Sequence, residues 1–316
     1  MPSKSFIGRK MEPEDPDTHD PNRIVLFGMD CAFTASFMES LLATRAAEIA
    51  AVVLPRTASA AEEAESSPVW LTDSTGNLPI IELSGRSELT SGQFRSALAD
   101  LEPDAIVVAC FPWRLPSSVF AVPGTASVNV HPSLLPSGRG PEPIFWAFRR
   151  GLHETGVTVH VVDDGLDTGP IIGQRSVPIP PDATMITLER TLAHLGADML
   201  SEFLRTPFRS VTARPQPTDD GRPAPFPAAE DLIVTTSWNA AAAARFIDAV
   251  SPVYGSIEVL VLANGQRLAV TDVLGIDESS FASAVQLQQN EAWIRFVGGT
   301  LHCRLRTIRQ PLAFDV

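Results

Sequence analysis

Apolar residues recur along this chain in two rhythms. Short apolar runs at Arg23–Phe27, Ile49–Leu54, Ile80–Leu83, Ala105–Ala109 and Ser127–Val130 are of strand length. Between them, Phe33–Thr44 and Ser91–Leu101 carry apolar positions at helical spacing. Strands that are apolar on both faces and alternate with helices predict an α/β unit, a parallel sheet under covering helices. The pattern continues with a short helix at Ile144–Arg150, extended segments at Val157–Val162 and Ile171–Val177, and a longer amphipathic helix at Met185–Leu204. The first unit is expected to span residues 23–205.

Six prolines from Pro207 to Pro227, with Thr218-Asp-Asp-Gly221 among them, oppose both helix and sheet, so residues 206–227 read as a linker. Beyond it, an alanine-rich helix at Trp238–Val250 precedes β-rich runs at Ile257–Leu262, Arg267–Leu274, Trp293–Val297 and Leu301–Leu305. Asn264-Gly265 supplies a hairpin turn, since both residues accept positive φ. A small β-barrel or meander carrying one helix is expected for 228–316. Residues 1–22 have only scattered apolar positions, lack the apolar core of a secretory signal, and read as a flexible tail. No repeat of fixed period is present.

Composition adds little to this outline. The 316 residues carry 24 basic against 37 acidic side chains, net -13, which disfavours unspecific attraction to nucleic acid or to an anionic membrane. The lysines are confined to Lys4 and Lys10, a skew toward arginine that weakens acidity as a clue to partners. Cys31, Cys110 and Cys303 are odd in number and widely spaced, which suits a reducing, cytoplasmic setting and neither a disulfide framework nor a thiol metal site. No apolar stretch approaches the ~20 residues of a membrane span.

Candidate chemistry sits in two places. A dinucleotide site after the first strand is ruled out, because Gly28-Met-Asp-Cys-Ala-Phe33 has one glycine where the fingerprint needs three. In Ser127-Val-Asn-Val-His-Pro132, strand alternation puts Asn129 and His131 on one face, and Pro132 keeps His131 extended at the carboxyl end of the strand. An amide donor beside an imidazole provides what acyl transfer needs, an oxyanion partner and a proton handler. A His and an Asn that merely cap a loop fit the same pattern. The second place is Val161-Val-Asp-Asp-Gly-Leu-Asp-Thr-Gly169. It fails as a calcium loop, with Gly165 where a ligand belongs and Gln174 where the bidentate Glu should stand. Either it is a solvated acidic turn, or Asp167 reaches His131 and orients it. His153-Glu154 lacks a zincin's second histidine, and no Ser or Cys occupies a nucleophile elbow. His19, His160, His194 and His302 read as surface or core residues.

Asn129, His131 and Asp167, with Ser133-Leu-Leu-Pro136, Arg139-Gly-Pro141, Glu154-Thr-Gly-Val-Thr158 and Gly165-Leu-Asp-Thr-Gly169, resemble the folate-dependent formyltransferases over about residues 23–205. Trp238 through Val253 is similar, less distinctly, to the start of the second domain of methionyl-tRNA formyltransferases. The resemblance implies a Rossmann-like catalytic domain, a smaller OB-like C-terminal β-barrel, and formyl transfer from 10-formyltetrahydrofolate to an amine without a metal. It implies that Asn129 and His131 stabilise the oxyanion and that Asp167 tunes His131 and assists proton removal through water. Ser133, Leu134, Leu135 and Pro136 would line the folate site. Val161, Val162, Asp163, Asp164, Gly165 and Thr168 would cradle the pterin. The family's tRNA enzymes typically carry a basic loop after the second strand. Here Leu54–Trp70 holds Arg56 against Glu62, Glu63 and Glu65, and residues 207–316 hold nine arginines and eleven acids. These signs favour a small-molecule amine acceptor, such as an amino sugar or hydroxyornithine, over methionyl-tRNA. A catalytically idle folate- or partner-binding protein is the remaining alternative, and the intact trio of side chains speaks against it.

Overall fold

The computed structural model describes residues 22–56, 78–123, 126–205, 212–217, 221–277 and 283–306. The expected tail up to Pro21 and the acidic segment from Thr57 to Trp70 lie outside the described residues. Strands β1 (Asn22–Phe27), β2 (Ala47–Pro55), β3 (Ile80–Leu83), β4 (Ala105–Val108), β5 (Ala126–His131), β6 (Glu154–Val161) and β7 (Ile171–Pro178) form one sheet in the order β3-β2-β1-β4-β5-β6-β7. The first five run parallel, as the alternation predicts. The last two turn antiparallel. No helix separates β6 from β7, so a short loop joins them, and such a loop can only reverse the chain.

Helices α1 (Ala32–Thr44) and α5 (Met185–Leu204) pack together on one face of this sheet. The Thr184 side chain accepts from the Thr187 amide while Thr187 bonds back to Thr184, so α5 begins with a reciprocal cap. Helix α2 (Gly92–Asp100) buries Phe94 and Leu98 against Val25, Phe27 and Ile106 on the other face. Short helices α3 (Ser117–Phe120) and α4 (Pro143–Arg149) lie in the connections around β5.

The C-terminal part holds β8 (Ile233–Thr235), α6 (Ala240–Tyr254), β9 (Ile257–Val261), β10 (Gln266–Asp277), β11 (Val285–Gln288), β12 (Glu291–Phe296) and β13 (Gly299–Leu305). Asn264 and Gly265 make the expected β9–β10 turn. The sheet order is β11-β12-β13-β10-β9-β8, with β8 parallel to β9 and the rest antiparallel. The expected OB-like barrel is therefore, among the described residues, an open mixed sheet. Its apolar face is covered by α6, which packs on β9, β10 and β13 and so buries what closure would otherwise bury. The Asn239 side chain caps α6 by accepting from the Ala241 amide at 3.0 Å.

One apolar cluster runs through both sheets. Phe145 of α4 is fully buried, with ring centroids 5.9 Å from Phe246 and 5.3 Å from Tyr254, both on α6. The Arg149 guanidinium stacks over Trp238 at 4.7 Å, and that of Arg245 lies over Phe148 at 5.8 Å. The proline-rich linker also departs from a free spacer. Arg214 and Ile171 exchange backbone hydrogen bonds of 2.7 and 2.8 Å, and Ala224 donates to the Arg139 carbonyl at 2.7 Å. The Trp146 indole donates to the Pro225 carbonyl at 2.8 Å, and Arg150 donates to the carbonyls of Arg222 and Pro223. Prolines remove amide donors, so this stretch docks mainly through its carbonyls and through Gln216.

Candidate active site

Strand β5 ends in Asn129 and His131, with Val128 and Val130 buried between the sheet and its helices. The antiparallel neighbour β6 sets His160 opposite Asn129 and Thr158 opposite His131. Thr158 fixes the turn that leaves β5. Its hydroxyl donates to the Ser133 carbonyl at 2.6 Å and accepts from the Leu135 amide at 3.1 Å. Gln174 on β7 donates to the Leu135 carbonyl at 2.7 Å. Ser133 and Leu135 are buried in this brace, where they shape the loop's interior.

The loop between β6 and β7 is held from within by Asp163, whose carboxylate accepts from the Gly165 amide and the Thr168 hydroxyl at 3.0 and 2.8 Å. Gly169 is required by close approach, since a Cβ there would stand 1.8 Å from the Val161 carbonyl oxygen. Asp167 adopts a left-handed φ of 55°, a conformation that Asp tolerates better than most side chains. That geometry turns its carboxylate back onto β5.

Around Asp167 four polar groups converge. Its Oδ2 accepts from the Gly140 amide at 2.9 Å and faces His131 Nδ1 at 3.8 Å. Its Oδ1 accepts from Asn129 Nδ2 at 3.2 Å and stands 3.8 Å from His160 Nε2. The tautomers follow from the partners. His131 Nε2 is 2.8 Å from the Gly138 carbonyl, which can only accept, so Nε2 carries a proton and Nδ1 is the nitrogen turned to Asp167. His160 Nδ1 likewise donates to the Val161 carbonyl at 2.9 Å, leaving Nε2 to accept from Asn129 Nδ2 at 3.1 Å. Both hydrogens of the Asn129 amide are thereby committed to acceptors, and this fixes its orientation.

The structure thus brings Asn129, His131 and Asp167 into one cluster and adds His160, which the sequence reading left among surface or core residues. The signal was available: Thr158 and His160 alternate on a strand whose partner carries Asn129 and His131. Strand order was the missing information. Burial, with His131 close by, lowers the His160 pKa from 6.5 to about 4. The folded state therefore keeps His160 neutral while the unfolded chain protonates it below pH 6.5. This contribution to stability is present above pH 6.5 and is lost as pH falls toward 4, by about 3 kcal/mol in total. Unfolding titrations of the protein and of His160→Gln should diverge in that window, the variant showing the flatter profile. Parallel curves would remove His160 as the source.

Past the carboxyl ends of β3 and β4 lies a cavity of about 230 Å³ lined by Arg86, Leu89, Thr90, Arg114, Leu115, Pro116 and, from the β6–β7 loop, Asp164. Of the pterin-loop residues expected from sequence, Asp164 lines it, whereas Asp163 and Thr168 are turned toward each other. At the ends of β1 and β4 the thiols of Cys31 and Cys110 share a hydrogen bond, which lowers the pKa of Cys31 and raises that of Cys110. Cys31, Cys110 and Cys303 are all free thiols. Among the described residues no group of three or more His, Cys, Asp or Glu is arranged to hold a metal ion, and no helix is long and apolar enough to cross a membrane.

Comparison with known proteins adds a family. The formyl transferase domain model matches residues 22–204. The methionyl-tRNA formyltransferase of Syntrophus aciditrophicus is 35% identical over 213 residues, 67% of this chain and 66% of that protein. That of Roseiflexus castenholzii is 47% identical over 125 residues, 40% of each chain. The aligned stretches thus cover no more than about two thirds of these relatives. Among solved structures, WlaRD, a sugar 3N-formyl transferase determined with dTDP and 5-N-formyl-THF, superposes with a TM-score of 0.60 over 92% of this chain and 100% of its own, at 15% identity. HypX from Aquifex aeolicus with tetrahydrofolic acid gives 0.58 over 89% of this chain and 43% of its own, at 18% identity. These two likenesses are of fold. With the family model matching more than half its length, the chain belongs to the formyl transferase family.

Proposed function

We propose that this protein transfers a formyl group from 10-formyltetrahydrofolate to a primary amine, with Asn129, His131 and Asp167 as its catalytic residues. The observation that carries the reading is the placement of Asp167 between Asn129 and His131 at the end of a central strand. The amine attacks the formyl carbon, and the new tetrahedral centre carries an oxyanion. The donors assigned to it are Asn129 Nδ2, which exchanges its bond to His160 for the oxyanion, and the His131 imidazolium through Nδ1. The attacking nitrogen gives up a proton toward Asp167 through water, and the folate nitrogen leaves with a proton as the carbonyl re-forms. Arg86 and Arg114, which line the cavity, suit a donor that ends in carboxylates. Residues 23–205 would carry the chemistry and 228–316 would face the acceptor, in a cytoplasmic protein.

The first acceptor in this reading is the α-amino group of methionyl-tRNA, because that is the substrate in the names of the relatives. It reverses the order in which the sequence alone ranked the acceptors. Net charge is a poor guide to a local surface: arginines can gather in space without any enrichment of the sequence, and an acid excess elsewhere does not oppose a local stripe. A small amine remains the second reading, supported by the absence of lysine from residues 22–316. Formylation assays with charged initiator tRNA and with free amines, across a salt series, separate the two. Turnover of the tRNA that falls steeply with salt is expected. Turnover confined to small amines would install the second reading, and inertness toward every acceptor would end both.

A further inference from the structure

We infer that Gln216, in the proline-rich linker, is a positioning residue for the Asp167 loop. This rests on the formyl-transfer reading only for its kinetic consequence. The side chain amide of Gln216 donates to the Asp167 carbonyl and to the Gly169 carbonyl, both at 2.8 Å. Its oxygen accepts from Arg139 Nε and Nη2 at 3.0 and 2.7 Å. One half-buried amide thus uses both donors and its acceptor to join the two loops that build the site. The first loop carries Asp167 in its left-handed backbone conformation. The second carries Gly138, whose carbonyl accepts from His131, and Gly140, whose amide donates to the Asp167 carboxylate.

The linker is held there independently on both sides of Gln216. Arg214 is paired to Ile171, Gly138 donates to the Arg222 carbonyl, and Ala224 is paired to Arg139. A Cβ on Gly140 would come within 2.5 Å of the Ala224 carbonyl oxygen, so the second loop and the linker are in backbone contact. Among the described residues of this docked strap, Gln216 is the side chain hydrogen-bonded to the Asp167 loop. A left-handed aspartate whose own carbonyl is tied down has its carboxylate direction fixed. Once those ties are cut, the loop relaxes toward commoner backbone angles and the carboxylate swings off His131 and Asn129. Misplacement by about an ångström costs on the order of a hundredfold in rate.

The test uses the full chain and two variants. Gln216→Ala removes the whole bridge. Gln216→Glu keeps an acceptor for Arg139, and so keeps the strap docked, but has no donor for the two carbonyls. Hydrogen exchange followed by mass spectrometry on the unliganded proteins is expected to speed up about tenfold or more in peptides covering 163–169 and 138–142 in both variants. Helix α6 and strands β9–β13 should exchange as in the unaltered protein. In formylation assays, kcat should fall at least tenfold while the KM for 10-formyltetrahydrofolate stays within about twofold. Unchanged loop exchange in Gln216→Glu, or faster exchange spread over the whole chain, would overturn the assignment. Should the unaltered protein formylate no acceptor at all, the formyl-transfer reading fails, and the loop exchange alone decides the role of Gln216.

Discussion

Replacement of Asp167 by Asn should slow formyl transfer by about 10²- to 10⁴-fold, the range that a positioned acid–base group contributes. Asp167 accepts from Gly140 and Asn129 while facing His131 and His160, and Asn preserves its size but cancels its charge. One of the two accepted hydrogen bonds is also lost, since an amide offers one oxygen where a carboxylate offers two. The stability cost of that loss is about 1–2 kcal/mol. The binding of the formyl donor should change little, because Asp167 points at β5 and the cavity is lined by Asp164 instead. Single-turnover rates, donor titrations and thermal unfolding of the variant check the three parts together. Turnover within tenfold of the unaltered protein would take Asp167 out of the mechanism.

Phe145→Ala should be among the most destabilising single changes in the chain, costing about 3–5 kcal/mol. The ring is fully buried and in edge or tilted contact with Trp146, Phe246 and Tyr254, so its loss leaves a cavity between α4 and α6 that neither helix can fill. Because the same cluster backs both sheets, the melt should remain one transition and shift down by on the order of 10 °C. Two resolved transitions in the variant would show that the halves fold as separate units. A shift under ~2 °C would mean that the site collapses around the missing ring.

The strands and helices of the first unit were legible because each carries its own rhythm. Ile80–Leu83 and Met185–Leu204 are bounded in the structure as the sequence places them, and most others differ by one to three residues at an end. β8 and β11 were not legible: they are short, and β11 has alternate glutamines and a single buried-side valine. The open second sheet was hidden for a related reason. Whether a sheet closes depends on what covers its apolar face, and nothing in the spacing of strands tells that a helix will do so. At the site, the shared face of Asn129 and His131 follows from alternation alone, whereas His160 and Gln216 come from strand order and from a linker that docks. Both are long-range facts, and an imidazole or an amide in isolation has many uses.

The order in which the chain leaves the ribosome gives the shared core a further meaning. All the residues matched by the family model have been made before α6 begins at Ala240. Until that helix arrives, Phe145 and Phe148 of α4 have no cover on the side where Phe246, Tyr254 and Arg245 later sit. The catalytic unit therefore spends the interval of some thirty-five to fifty further residues with an aromatic face open to water. At ~5–20 residues per second this lasts several seconds. A nascent chain arrested near residue 205 should on this basis be sticky, and one released past residue 254 should not be.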